Sequence, residues 1–374
     1  MTELRRKIEQ EIRERGPIPF SRYMELCLYH PELGYYSRHA EQFGKAGDFY
    51  TSSDVHKVFG RLLARQFDEM WRVLGAPEQI QLIELGAGRG LFAQDVLNWS
   101  QRKFPDFFNA LRYVLIESSP ALRERIEQTL RHHLEAGKAE LTAVHPSTGR
   151  FTSTIVFANE FFDALPVEIL TRKGSLRIDT RDGRFIETWV PSSSEELELL
   201  DRHSIHPGEH ERVEIPLAAQ QLMGRLAANL QCGFLIAIDY GYTREEQLAG
   251  RHRGTLKALR RHSIGDNPYE APGEQDITAH VNFTALAAAA EKHGMQSHKL
   301  VTQSQFLMGI GEANQFADAF EDCRLPQERA KVALQLKHLV TPAGMGESFH
   351  VLIASKGISR EKVESLSGLG SGHR

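Results

Sequence analysis

The stretch "IELGAGRG", residues 83–90, decides the fold. Three glycines, Gly86, Gly88 and Gly90, alternate with other residues after an apolar run that contains one acidic residue, Glu84. Upstream, "IQLIELG" reads as a short buried strand, apolar and ended by glycine. Downstream, "LFAQDVLNWSQRKF" carries Leu91, Phe92, Val96 and Leu97 at helical spacing. A strand, a glycine turn and a helix form the entry to a nucleotide-type site: glycine lets the backbone approach a ligand, and the helix start offers free N–H groups.

The spacing narrows the ligand. A dinucleotide fingerprint is G-x-G-x-x-G; counted from Gly86, its third glycine would fall on Leu91. The pattern here is G-x-G-x-G, with Glu84 two residues ahead. It suits the amino-acid half of S-adenosylmethionine, whose ammonium favours a carboxylate, better than a pyrophosphate. An NAD oxidoreductase is therefore disfavoured.

Bulk properties bound the class. The 374 residues are 41% hydrophobic and 25% charged, an ordinary globular composition that allows one large domain with additions or two domains. A net charge of −4 gives no basic field for nucleic acid. No apolar run approaches the roughly 18–20 residues of a membrane span. The N-terminus, "MTELRRKIEQEIRERG", resembles neither a secretion signal nor a presequence. Cys27, Cys232 and Cys323 lie far apart, which suggests reduced thiols in a cytosolic setting; with no presequence pattern, a bacterial cytoplasm is expected. The 17 histidines lack metal-ligand spacing, so no metal is expected.

Outward from the turn the chain alternates. Strands are expected at "YVLIESS" (113–119), "ELTAV" (140–144), "TSTIVFANE" (152–160), "CGFLIAIDYG" (232–241) and "SFHVLIASK" (348–356), the last with "LVTQSQFLMG" (300–309) as neighbour. Intervening helices imply a mostly parallel sheet covered on both faces. The N-terminal part, 1–75, reads as helices and loop closing over a site. Leu4, Ile8 and Ile12 mark the first helix, and Ser21 is a candidate cap for the second. The core is 76–360. It carries hairpins and a helix in 167–215, a site-lining loop in 241–285 and a helical insert in 305–345. Residues 361–374 read as a flexible tail.

Ligands of open α/β sheets bind beyond the carboxyl ends of the strands. Glu117 ends the second strand and can accept hydrogen bonds from ribose hydroxyls; the bland alternative is a charge at a helix start. Asn159, Glu160 and Asp163 leave the fourth strand together as candidate functional groups; a capping role for Asn159 or Asp163 is the bland alternative. Asp239 and Tyr240 end the fifth. The polar, Gly- and Pro-punctuated segment 254–286 adds His262, Asp276 and His280 as candidate substrate residues.

With these residues on the page, the sequence resembles the MidA family of class I S-adenosylmethionine-dependent methyltransferases, which includes mitochondrial complex I assembly factors. The resemblance rests on "GDFYTSSDVHKVFG" (47–60), "ELGAGRG" (84–90), "NEFFDALPVE" (159–168), "GTLKALRRH" with "NPYEAPGEQDITAHVNFTAL" (254–286) and "MGESFHVL" (345–352). It departs at Ser53, where the family pattern has proline. It implies a Rossmann-like, seven-stranded α/β sheet with helices on both faces and the final strand antiparallel, inserted beside its predecessor. It implies that Gly86, Gly88 and Gly90 line the methionine part of the cofactor, that Glu117 holds the ribose, and that Thr51 and Ser52 close over it. It also implies methylation of a protein arginine, with a respiratory-complex subunit as partner. Glu160 and Asp163 would then orient the guanidinium, with Asn159 beside them. A small-molecule methyltransferase and a cofactor-binding assembly protein are the alternatives.

Overall fold

A computed structural model describes residues 2–38, 57–143, 151–260, 263–265 and 267–370. Thr51, Ser52 and His262 lie outside the described residues. At its centre are β1 (Ile80–Leu85), β2 (Leu111–Ile116), β3 (Ala139–Thr142), β4 (Thr154–Asn159), β5 (Gly233–Tyr242), β6 (Gln296–Ser297) and β7 (Phe349–Lys356), in the spatial order β6-β7-β5-β4-β1-β2-β3. Strands β1 to β5 pair in parallel. Strand β7 runs antiparallel to β5, from Gly233 opposite Lys356 to Tyr240 opposite Phe349. The seven-strand path and the inserted antiparallel last strand are as expected, and two short strands, Val281–Asn282 beside β5 and Val301–Thr302 beside β7, bring the sheet to nine.

These strands form because their apolar runs are buried on two faces. Leu82 and Phe157 pack on one side against Phe67 of α4 (Lys57–Val73) and Phe92 of α5 (Leu91–Lys103). On the other side Ile83 and Val156 meet Leu222 and Leu226 of helix Leu217–Asn229 and Leu286 of helix Phe283–Glu291.

The N-terminal helices α1 (Glu3–Arg15), α2 (Phe20–Tyr29) and α3 (Tyr35–Arg38) make a smaller core with the hairpin strands Glu168–Thr171, Gly174–Arg181 and Arg184–Val190. Leu4, Ile8 and Ile12 are its α1 face, as their spacing requires. The tie extends to the backbone, where Ile18 and Pro19 pair with Ile178 and Arg177.

Several expectations are corrected. Ser21 does not cap α2, which starts at Phe20 after Pro19; its hydroxyl instead donates to Glu168. "LVTQSQFLMG" is strand only at Val301–Thr302. There Thr302 and Gln305 form a reciprocal capping box, with Oγ1 accepting from the Gln305 N–H at 3.2 Å, and helix Gln303–Glu312 follows. The segment 254–286 is not a plain loop: Lys257–Arg260, Ser263–Gly265 and Asp276–Thr278 form a three-stranded antiparallel sheet. The tail packs through residue 370. Val363 and Leu366 enter the core, and the Ser367 N–H and hydroxyl donate to Glu69 Oε2 at 2.9 and 2.8 Å. Apolar residues at that spacing anchor a terminus that composition alone makes look loose.

Candidate functional site

At the carboxyl ends of β1, β2 and β4 lies a cavity of about 200 Å³. Its floor is the glycine turn. Gly86 and Gly88 have φ of +68° and +57°, the left-handed region that glycine enters freely. A Cβ on Gly86 would meet Phe161 Cδ2 at 2.8 Å, whereas one on Gly88 would meet nothing within 4 Å. Gly88 therefore leaves space above the turn. Gly90 does not line the cavity: it caps α5 and packs against Ile126 and Leu130 of the neighbouring helix.

Two carboxylates flank the turn. Glu84 is buried on β1, and its Oε2 accepts from the Tyr113 hydroxyl at 2.8 Å. Burial pushes its pKa up to about 8, against the lowering effect of that hydrogen bond. Glu117 closes the other side. Its Oε2 accepts from the Gly88 N–H at 3.0 Å and its Oε1 from the Ser119 N–H at 2.9 Å. Burial raises its proton affinity and these N–H groups lower it. Each oxygen keeps a further lone pair for a ligand hydroxyl. The bare helix-start reading of Glu117 is insufficient, because one oxygen reaches back to the turn.

Across the cavity stands the Asn159–Ala164 turn. Glu160 has φ +49°, a strained conformation for a residue with a side chain. The Asn159 amide donates to Glu160 Oε1 at 3.1 Å. What holds this turn is Asp239. Its Oδ2 accepts from the N–H groups of Phe161, Phe162 and Asp163 at 3.2, 2.9 and 3.2 Å, and its Oδ1 from Tyr240 at 2.9 Å. Burial pushes the Asp239 pKa up to about 7. Asp163 is raised well above the carboxylate range, first by burial and then by Asp239, Asp276 and Glu160.

The candidate residues thus separate. Glu84, Gly86, Gly88, Glu117, Asn159, Glu160 and Asp163 meet at one cavity. Asp239, expected at the substrate, is fully buried and shapes the turn through backbone N–H groups. Tyr240 and His280 stack on each other, 6.3 Å between ring centroids and 18° between planes; neither lines the cavity, although Glu160 and Asp163 act electrostatically on the Tyr240 phenol. His280 faces His252, Nδ1 to Nδ1 at 3.3 Å, and burial pushes its pKa down to about 4. Asp276 is buried behind Tyr36, whose hydroxyl donates to its Oδ1 at 2.8 Å. Sequence reasoning missed Tyr29, Tyr36 and Tyr113. The first two carried a weak signal as aromatics ahead of the core, and Tyr113 carried none beyond an apolar strand. Among the described residues, no group of three or more His, Cys, Asp or Glu could hold a metal ion, and no helix is long and apolar enough to cross a membrane.

The residues fit S-adenosylmethionine. A turn whose Gly88 opens on free space, a carboxylate below it and a second one at the end of the next strand supply close backbone approach, a counter-charge for an ammonium and acceptors for a diol. The comparisons agree. A family model described as an S-adenosyl-L-methionine-dependent methyltransferase matches residues 62–301. The protein arginine methyltransferase NDUFAF7, mitochondrial, of Danio rerio is 30% identical over 93% of this chain and 86% of its own length. The NDUFAF7 homolog of Drosophila melanogaster is 28% identical over 95% and 85%. A crystal structure of a COG1565 superfamily member from Burkholderia thailandensis, bound to S-adenosyl-homocysteine, is 29% identical with a TM-score of 0.84, covering 99% of this chain and 95% of that one. The chain is a member of the MidA family of S-adenosyl-L-methionine-dependent methyltransferases.

Proposed function

We propose that this methyltransferase acts on an arginine side chain of a protein. The observation that carries the reading is the cavity wall beyond the glycine turn, where Glu160 and Asp163 stand together on a strained, tightly held turn. The Danio rerio and Drosophila melanogaster relatives, both named protein arginine methyltransferases, support the same acceptor.

Bound S-adenosylmethionine supplies an electrophilic methyl group on a sulfonium. The chain's residues bind and orient. Glu84 meets the ammonium of the amino-acid half, and Glu117 accepts from the ribose hydroxyls. An arginine guanidinium is planar and stays protonated, so it needs alignment more than activation. Glu160 and Asp163 accept its N–H groups as a fork and turn one nitrogen toward the methyl carbon. On taking the methyl group from the sulfonium, that nitrogen would release a proton. Burial keeps Asp163 protonated in the free protein; the charge of the arriving guanidinium would expel that proton to solvent, and the ionised carboxylate would then take the proton the methylated nitrogen releases.

The family's link with complex I assembly makes a respiratory-complex subunit the acceptor to test first. The three free thiols, Cys27, Cys232 and Cys323, suit a reducing bacterial cytoplasm; the two relatives are mitochondrial by name. The test is methyl-labelled S-adenosylmethionine with lysate from cells lacking the protein, beside a Gly88→Val control. A labelled polypeptide carrying methylarginine, absent from the control, is expected. Label confined to small molecules, or to another residue type, would overturn the reading.

A further inference from the structure

Two tyrosines of the cavity have no part in the methyl transfer described above. Tyr29, the last residue of α2, and Tyr36, in α3, both line it. Their rings lie 5.5 Å apart at 36°, and Tyr35 packs edge-on to Tyr36 at 5.3 Å. The Tyr29 hydroxyl donates to the carbonyl of Ala164 at 2.9 Å, one residue past Asp163. The Tyr36 hydroxyl donates to Asp276 Oδ1 at 2.8 Å. Each ring is thereby fixed by a bond to the segments that surround the acceptor carboxylates.

Strand order says which end of the cavity this is. Strand β1 lies between β2, which ends in Glu117, and β4, which leads into Asn159–Ala164. The tyrosines are hydrogen-bonded on the β4 side; Asp163 and Asp276 act electrostatically on both phenols, and Glu117 acts on Tyr29 after them. They therefore stand closer to the acceptor carboxylates than to Glu117, whose effect on Tyr29 is the smallest among the three carboxylates. Tyr29 also lines a separate groove of about 520 Å³ on the outer face of the N-terminal helices, with Lys7, Glu11, Arg22 and Glu25. Tyr29 thus borders both the groove and the cavity.

We propose that Tyr29 and Tyr36 are specificity-determining residues, an aromatic wall beside Glu160 and Asp163 that selects a flat cationic side chain. The proposal rests on the arginine reading and deepens it. A guanidinium has a face and an edge. Its face stacks on aromatic rings and its edge donates to carboxylates, so a site with both selects it over a compact, strongly hydrated ammonium.

The test is calorimetric binding of an arginine peptide and its lysine counterpart to the full chain saturated with S-adenosylhomocysteine. The unaltered protein is expected to prefer the arginine peptide. Tyr29→Leu and Tyr36→Leu should each weaken it about tenfold, a loss in the range of a desolvated cation–π contact, and erode the preference. The dissociation constant for S-adenosylhomocysteine should stay within about twofold, which also reports that the fold survives. Tyr29→Phe keeps the ring and should bind the arginine peptide within about threefold. Should a leucine variant lose its fold, 3-fluorotyrosine at positions 29 and 36 keeps the shape and weakens the ring's field. The arginine peptide should then bind about two- to threefold more weakly. Leucine or fluorotyrosine proteins that bind the arginine peptide as well as the unaltered chain would overturn the wall while leaving the arginine reading standing. Equal loss of cofactor product and peptide would also overturn it, by placing the tyrosines at the cofactor end. An unaltered protein with no preference for the arginine peptide would overturn the wall and the arginine reading together.

Discussion

The two ends of the cavity invite comparison. At the cofactor end, Glu84, Gly86, Gly88 and Glu117 come from two adjacent parallel strands and the turn after the first. At the acceptor end, the turn after β4 is held by Asp239, 76 to 78 residues away. It is walled by Tyr29, 135 residues from its partner Ala164, and by Tyr36, 240 residues from Asp276. The first end is made by local backbone geometry. The second is made by side chains that meet only after the N-terminal helices, β5 and the small Asp276 sheet have docked. This teaches where each end is vulnerable: the first to a single Cβ, the second to the loss of a distant hydrogen-bond partner.

The largest effect should follow from breaking the cofactor end. Gly88→Val places a branched side chain at φ +57° and projects it into the open space above the turn. Left-handed strain there is about 1–3 kcal/mol, which the fold should survive, while the ligand and the valine would need the same volume. S-adenosylhomocysteine binding by calorimetry should weaken more than ~100-fold, with far-ultraviolet circular dichroism unchanged. Gly90→Val sharpens the contrast within one turn. Its Cβ would meet Ile126 Cγ1 at 3.3 Å and Leu130 Cδ1 at 3.4 Å, so it should lower the melting temperature more than Gly88→Val and the cofactor affinity less.

Breaking the acceptor end should cost catalysis and leave cofactor affinity nearly intact. Asp239→Asn keeps the shape but puts an NH₂ where one carboxylate oxygen accepted, either three N–H groups or that of Tyr240. Leaving buried donors unpaired costs about 1–3 kcal/mol each before relaxation. We expect kcat to fall about 10- to 100-fold, equivalent to ~1.4–2.7 kcal/mol of lost alignment, with the S-adenosylhomocysteine dissociation constant within about threefold. The pH dependence of stability has a definite sign. The folded chain holds the Asp239 proton up to about pH 7, well above the unfolded carboxylate range. The folded state then binds more protons than the unfolded one across that interval, and Asp239 makes stability fall as pH rises from about 4 to 7. Urea midpoints across this range should show a shallower fall in Asp239→Asn. An unchanged slope would mean that the cluster's proton sits elsewhere, for example on Asp163.

The same contrast explains what was legible in the sequence. The glycine turn was readable because its code is contiguous: a buried apolar strand, alternate glycines, then helical spacing from Leu91. Glu117 was readable because a parallel sheet puts the ends of neighbouring strands side by side. Asn159, Glu160 and Asp163 stood out as polar groups leaving a buried strand. Asp239 was noticed for the same reason and given the wrong task, because its partners are backbone N–H groups that no side-chain pattern encodes. Tyr29 and Tyr36 were visible only as aromatics in an N-terminal stretch. Their roles depend on the pairing of Ile18 and Pro19 with the hairpin that carries Ile178. The helix at Gln303 was misread as strand because Val301 and Thr302 favour a strand locally, while a three-residue capping contact decides the matter.

The smallest effect should come from Tyr113→Phe, which leaves every cavity-lining residue in place. The Tyr113 hydroxyl is fully buried and donates to Glu84 Oε2. In the free protein Glu84 is pushed up to about 8, with burial and the nearby Glu117 raising it and Tyr113 holding it down. An ammonium ligand favours the ionised form, so binding should release a proton at neutral pH, and affinity for S-adenosylhomocysteine should rise with pH up to about 8. Removing the hydroxyl removes the lowering contribution. The midpoint of the affinity–pH curve should move up by ~1 unit, the equivalent of one hydrogen bond to a charged group. At pH 7 the affinity should be about three- to tenfold weaker, converging with the unaltered chain above pH 9. Calorimetry in buffers of different ionisation enthalpy reads the released proton directly. A flat affinity–pH curve in both proteins would show that Glu84 meets no cation, and the comparison would then lose its electrostatic half while keeping the steric one set by Gly88.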